Sequence, residues 1–263
     1  MATQQQLSKR LRLAYIDIHL HLLPGVDDGA RSLDDALRHA RRLATDGIHE
    51  VLVTPHVGHP WFDVDVQSLP ERTSDLQRAI DREGIALQLH AGGELHPTRA
   101  AELPADDLEL VAQGPPGSRW VLLEVPFAGL DERFLETAAA VQARGYGLVI
   151  AHPERAVGVL REGMILLCRL LESGVVLQVN VCSLLGLHGP EAREAGEYLL
   201  RTRVAYLIAS DGHPGAREHT VRLGFDLARR AGVSALQARR LTQSNPRFLL
   251  EHGMPRLPLA VAK

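Results

Sequence analysis

The chain has 263 residues, of which 45% are hydrophobic and 23% charged, with a formal net charge of −3. That length admits one large α/β domain or two small ones, and the slight negative charge leaves no basic footprint for nucleic acid. No apolar run reaches the roughly 18 residues of a spanning helix, no secretory stretch is visible at the N-terminus, and two cysteines, Cys168 and Cys182, make no disulfide framework. A cytoplasmic protein without membrane insertion is the expectation.

Residues 1–13 read as a polar leader. A strand is predicted over 14–18, running into His19-Leu20-His21, a Pro24-Gly25 turn and the carboxylates Asp27 and Asp28. In a strand, side chains two apart face the same way. His19 and His21 are therefore expected to point together, with Ile18 and Leu20 on the other side. Ser32-Leu-Asp-Asp35 reads as a capping box with Asp in place of Glu. It opens a helix carrying Leu33, Ala36, Leu37, Ala40 and Leu43 at helical spacing. Further strands are predicted over 50–54, 86–90, 120–124, 147–151, 175–179 and 204–209. Helices are predicted near 69–82, 131–144, 161–172, 190–202, 216–231, 235–242 and 246–251, with a partly helical stretch over 98–112. Residues 253–263 read as a tail. Seven strands alternating with helices on short connections argue for a parallel sheet covered by helices, open or closed into a barrel. No linker divides residues 14–252, so a single domain is expected.

Nearly every predicted strand ends in a candidate metal ligand. The first gives His19 and His21 with Asp28 beyond. The next give His56, Glu94, Glu124 and His152 in turn, and the last gives Asp211 and His213. In a barrel, the C-terminal strand ends form the active-site face, so these nine side chains would converge there. Each has a plainer reading. Asp28 could be a turn residue beside Gly29, Glu124 half of a structural ion pair, and His152 a hydrogen-bonded core histidine. His59 and His96 fall near the proposed mouth. His39, His49, His188, His219 and His252 are expected to be solvated. Imidazoles and carboxylates without thiolate suit Mn²⁺, Fe²⁺ or Zn²⁺ better than soft metals. Nine ligands would serve two or three ions, an arrangement suited to displacement at a phosphoryl group. Arg155 and Arg217 could hold phosphate oxygens, although Arg217 could equally be a surface arginine. A cysteine phosphatase is disfavoured, since Gly174 and His188 stand where a phosphate loop after Cys168 or Cys182 needs its arginine. No G-x-S-x-G elbow is present either.

Taken together, I-D-I-H-x-H-x-L-P-G-x-D-D-G, T-P-H at 54–56, G-G-E at 92–94, L-E-V-P at 123–126, A-H-P-E-R at 151–155, Q-V-N-x-x-S-L-L-G at 178–186 and A-S-D-G-H at 209–213 closely resemble the PHP (polymerase and histidinol phosphatase) superfamily. Within it, the chain is most similar to the CpsB-like bacterial protein-tyrosine phosphatases of capsule and exopolysaccharide synthesis. The resemblance spans about residues 14 to 251. It implies a distorted (β/α)₇ barrel with a trinuclear, usually manganese-dependent centre; Fe²⁺, Zn²⁺, Co²⁺ or Mg²⁺ are alternatives. It further implies that His19, His21, Glu94 and Asp211 bind one ion, that Glu94, Glu124 and His152 bind a second, and that Asp28, His56 and His213 bind a third. A metal-bridging hydroxide would be the nucleophile, with no phosphoenzyme, and Arg155 would bind phosphate. The family's second arginine sits one residue later than Arg217. Its loop after T-P-H normally carries a second His, where Val57 stands here, and Trp61-Phe62 occupy the loop. The implied partner is the tyrosine-rich tail of a bacterial tyrosine autokinase. The alternatives are hydrolysis of a small phosphate monoester such as histidinol phosphate, a non-catalytic metal-binding scaffold, and a deaminase-type amidohydrolase, which the motif order fits less well. Oligomeric state is open.

Overall fold

Short apolar runs separated by amphipathic helices fold here as strands that all run the same way. The computed structural model describes residues 14–255, so the expected leader and most of the expected tail lie outside the described residues. The strands are β1 (Tyr15–Leu20), β2 (Ile48–Val53), β3 (His56–Val57), β4 (Gln88–Ala91), β5 (Glu94–Leu95), β6 (Trp120–Glu124), β7 (Gly147–Ala151), β8 (Val176–Asn180) and β9 (Ala205–Ala209). The main helices between them are α1 (Leu33–Thr45), α2 (Leu69–Arg82), α3 (Ala105–Val111), α4 (Glu132–Ala143), α5 (Met164–Glu172), α6 (Val181–Leu184) and α7 (Pro190–Arg201). After β9 come α8 (Val221–Arg230), α9 (Ala235–Arg239) and α10 (Asn245–His252).

All ladders are parallel, in the orders β1-β2-β4 and β3-β5-β6-β7-β8-β9. Two of the predicted strands, 50–54 and 86–90, are thus each followed by a further two-residue strand, β3 and β5. Pro55 has no N–H to donate between β2 and β3, and Gly92-Gly93 interrupts the next segment between β4 and β5. At the far edge, the Asp211 N–H donates to His19 O (2.9 Å) and the His21 N–H donates to Gly212 O (2.9 Å). An isolated parallel bridge, Leu20 to Gly212, lies at the same place. The seven segments so form a distorted (β/α)₇ ring, joined at this seam by a short bridge instead of a long ladder. A Cβ at Gly212 would stand 2.5 Å from Leu20 Cδ1, so any larger residue there would force the Leu20 side chain to move.

Strand alternation divides the core in two. Ile16, Ile18, Trp120, Leu122, Val149, Ala151, Val176, Leu207 and Ala209 pack with one another inside the ring. Their neighbours, such as Val121, Leu123, Leu148, Ile150, Leu177 and Ile208, pack against the helices. Helix α10 closes the ring at the strands' N-terminal ends, where the Trp120 indole N–H donates to Leu249 O (2.9 Å). Beyond it, the Met254 N–H donates to Ser118 O. The opposite end is left for the candidate ligands.

Several local expectations are corrected. Leu20 packs with the helix-side cluster and Ile18 with the inner one, because the β1 register shifts between Asp17 and Leu20. Ser32 caps the Asp35 N–H, but the Asp35 carboxylate turns to Arg31 and Arg38, so the box is not reciprocal. The helices expected from 161 and 216 begin at Met164 and Val221.

His39, expected to be solvated, is only 1% exposed, on the α1 face that also buries Ala36, Ala40 and Leu43. Neither ring nitrogen has a hydrogen-bond partner. Burial holds the imidazole down at about 4, whereas an unfolded histidine titrates near ~6.5. Between those values the unfolded chain binds a proton that the folded chain refuses. Stability is therefore fully present above about pH 6.5 and falls as pH drops toward about 4. From pH 7 to pH 5 the loss from this group is about 2 kcal/mol. In chelator, His39→Leu should lose about 2 kcal/mol less than the parent over that step, read from urea midpoints. Parallel losses in the two proteins would refute this role. His188, also expected in solvent, is half-buried with its ring against Ser183 Oγ (2.9 Å).

Candidate metal centre

The centre starts from β1, whose bulge brings both imidazoles to one point: His19 Nε2 and His21 Nε2 stand 3.3 Å apart. Each also faces two carboxylates. Glu94, from the start of β5, lies 3.3 and 3.4 Å from them, and Asp211, just past β9, lies 3.5 Å from each. His152, at the end of β7, brings Nε2 to 3.0 Å from Glu94 Oε1. His56, at the start of β3, brings Nδ1 to 3.1 Å from Glu94 Oε2. His213 Nε2 lies 3.1 Å and His56 Nε2 3.6 Å from Asp28 Oδ1.

All nine expected positions therefore reach one face, in overlapping groups. His21, Asp28, His56 and His213 form one, His19, His21 and Asp211 a second, His19, Glu94 and His152 a third, and His56, Glu94 and Glu124 a fourth. The first two parallel ligand sets implied by the resemblance. Glu124 differs: it groups with Glu94 and His56, and also with His59 and His96, and not with His152.

The protein groups alone do not satisfy one another. His56 Nδ1, His152 Nδ1 and Glu94 Oε2 are buried without a hydrogen bond. Burial disfavours charge on Glu94, yet His19 and His56 outweigh it and hold the carboxylate well below its usual range. Burial and the facing Glu94 push Glu124 up to about 9. Burial, then the neighbouring Arg155, lowers His152 to about 4. Imidazoles crowded among buried carboxylates are the donor set of a divalent cation site. The residues present fit such a group.

Outer contacts fix the rings. His19 Nδ1 meets Gln178 Oε1 at 2.9 Å, His21 Nδ1 meets Asp27 Oδ2 at 2.7 Å, and His213 Nδ1 meets the Asp211 carbonyl at 3.0 Å. With the proton on Nδ1, each ring leaves its Nε2 lone pair to the centre. Asp27 also accepts from the His56 and Gly29 N–H groups, and Asn180 donates to Asp211 Oδ2 at 2.7 Å. Gly29 lies so close under His21 O that any Cβ would overlap it. Asp27, Gln178 and Asn180 were not singled out in the sequence. For Gln178 and Asn180 the available signal was polar alternation in an apolar strand. For Asp27 it was the buried member of the carboxylate pair.

Backbone strain falls at the same place. Among the described residues, three that are not glycine have positive φ, and two of these are His152 (34°) and Asp211 (48°). Such conformations cost about 1–3 kcal/mol each and persist where surroundings over-determine them.

Arg155 reaches the rim, 3.3 Å from Asp211 Oδ2 and 4.1 Å over the Phe127 ring. Arg217 packs its guanidinium against His213, at 2.8 and 3.0 Å from the two ring nitrogens, and 3.6 Å from Asp211. Phe62 stacks on His56 with centroids 5.2 Å apart, His59 packs beside both, and Trp61 is 83% exposed at the mouth.

This architecture has relatives. The chain is 30% identical over 198 residues, 75% of its length and 77% of the relative's, to tyrosine-protein phosphatase YwqE of Bacillus subtilis (strain 168). It is 23% identical over 247 residues to tyrosine-protein phosphatase CpsB of Streptococcus pneumoniae, covering 89% of this chain and 98% of the relative. Its fold is similar to a chain from the crystal structures of YwqE from Bacillus subtilis and CpsB from Streptococcus pneumoniae, described as unique metal-dependent tyrosine phosphatases, with a TM-score of 0.78 and 26% identity over 94% of this chain and 99% of that one. A phosphotriesterase homology protein from Escherichia coli shares the fold alone, at a TM-score of 0.58 and 15% identity, over 89% of this chain and 98% of that one. The family model for capsular polysaccharide synthesis, CpsB/CapC, matches residues 15–251, and the chain belongs to that family.

Proposed function

We propose that this chain is a metal-dependent protein-tyrosine phosphatase. The observation that carries the reading is the position of Arg155, at the rim of a buried His/carboxylate cluster that reaches the C-terminal ends of the strands. The naming of its relatives as tyrosine-protein phosphatases supports the same reading. His19, His21, Glu94 and Asp211 would hold one ion, Glu94 and His152 a second with Glu124 reaching it beside Glu94, and Asp28, His56 and His213 a third, with manganese the metal we favour. When bound, such ions supply a nucleophile from water at neutral pH and neutralise phosphoryl charge.

The protein's own groups do the rest. Arg155 is pre-positioned by Phe127 below and Asp211 beside it, and its planar fork grips two phosphoryl oxygens. Arg217 is placed to add a second cation on the His213 side. Gln178, Asp27 and Asn180 keep the ligands in one tautomer and orientation, so little reorganises during the reaction. Phe62, Trp61 and Phe127 give the mouth aromatic walls suited to a tyrosyl ring. Water displaces the tyrosyl oxygen from phosphorus, releasing tyrosine and inorganic phosphate. The substrate we favour is the tyrosine-rich tail of an autokinase in polysaccharide synthesis, met in the cytoplasm. Among the described residues no helix is long and apolar enough to cross a membrane.

Metal-stripped protein given Mn²⁺ should hydrolyse a phosphotyrosine peptide at least about tenfold faster, in kcat/KM, than a phosphoserine peptide or histidinol phosphate. Preference for histidinol phosphate would replace this reading with a small-monoester phosphatase.

A further inference from the structure

Outside the metal centre, one cleft stands apart. It measures about 410 Å³ and lies between residues 155–164 and helix α7. We propose that it receives the stretch of polypeptide flanking the phosphotyrosine, with an apolar side chain of that stretch seated in it. The inference rests on the phosphatase reading above and says what kind of substrate that site takes.

Continuity is the first argument. Arg155 lines both this cleft and the pocket over the metal ligands. The pocket over the ligands holds only about 120 Å³, below the roughly 300–1,000 Å³ of ordinary ligand sites, whereas the cleft falls within that range. The larger of the two spaces adjoining Arg155 is therefore the cleft. A small monoester has no atoms to place there, but a polypeptide does.

The lining supplies the chemistry. Val157, Leu160, Met164 and Tyr198 give the cleft apolar walls. Val157 is 64% exposed and Tyr198 39%, both high for large apolar residues with no other evident task. An ion pair between Arg161 and Glu191 (3.3 Å) ties the rims together. Glu154, His188 and Glu194 also line the cleft, and its apolar walls carry the proposed contact. The wall is also held in register with the phosphate site: the Val157 N–H donates to the carbonyl of Phe127, whose ring supports Arg155.

The test uses the full chain loaded with Mn²⁺ and the variants Val157→Asp and Tyr198→Ala. Two substrates are compared: p-nitrophenyl phosphate and a phosphotyrosine peptide with leucine beside the phosphorylated residue. In both variants kcat/KM for the peptide should fall about tenfold or more, mainly through KM, while that for p-nitrophenyl phosphate stays within about twofold. The parent should also prefer the leucine peptide to one with aspartate at that position. Equal losses on both substrates, or an unchanged peptide rate, would overturn the cleft's role while the phosphatase reading stands. A parent with no metal-dependent activity on either substrate would overturn both.

Discussion

Alanine in place of His152 should reduce kcat by at least about 10³-fold, a loss of about 4 kcal/mol in transition-state stabilisation. The ring does more than fill space. Its Nε2 meets Glu94 Oε1 at 3.0 Å, its Nδ1 has no partner, and burial and Arg155 keep it neutral with lone-pair density to donate. Glu94 is common to two of the ligand groups, so losing His152 also loosens a carboxylate that neighbouring positions share. The fold should survive, because alanine keeps the Cβ and the apolar strand β7 beneath it is untouched. Circular dichroism and elution volume should match the parent. A variant turning over phosphotyrosine within about tenfold of the parent would remove His152 from the centre.

Stripping metal should lower the thermal midpoint by roughly 8–16 °C, and Mn²⁺ should restore it. The magnitude follows from linkage. A ligand that binds only the folded state at about 1,000 times its Kd contributes about 4 kcal/mol, and a domain of this size shifts by roughly 2–4 °C per kcal/mol. The sign follows from the cluster. Glu94, Glu124 and Asp211 are buried together with several imidazole lone pairs, and a cation relieves repulsion that the unfolded chain does not feel. Calorimetry in chelator, then with added Mn²⁺, reads this without reference to activity. An unchanged midpoint would mean that the cluster holds no ion that matters to the fold.

The parallel strands were legible because each carries its own signal in apolar runs and flanking turns, whereas those signals left open whether the sheet closes. The candidate ligands were legible because they recur at strand ends, where topology alone brings them together. Other features depended on partners distant in sequence. Asp27 carried no assigned role in the sequence, and only the folded chain shows its carboxylate between the His21 ring and the His56 amide. Gln178 and Asn180 stood in a matched motif, but their targets, His19 and Asp211, lie on other strands. His39 was misplaced because its residue type was weighed above its position between Ala36 and Leu43, where helical spacing already put it inside. The two-residue strands β3 and β5 escaped notice because periodicity needs more than two residues to register. The delayed start of α8 has a local cause: His213 and Arg217 exchange backbone hydrogen bonds, which holds residues 213–217 in a loop beside the centre.

The seam between β1 and the segment after β9 has a consequence for how the protein is made. His19 and His21 leave the ribosome well before Asp211 and His213. The hydrogen bonds joining Asp211 to His19 and Gly212 to His21 are among the longest-range in the chain. Contacts so distant in sequence carry a large closure cost and form late. Until β9 docks, the nascent chain offers an incomplete set of donors, and a fragment ending before it holds only part of the cluster. Completion of the centre thus coincides with closure of the ring, so a hydrolytically competent site arises only in a chain that has finished folding.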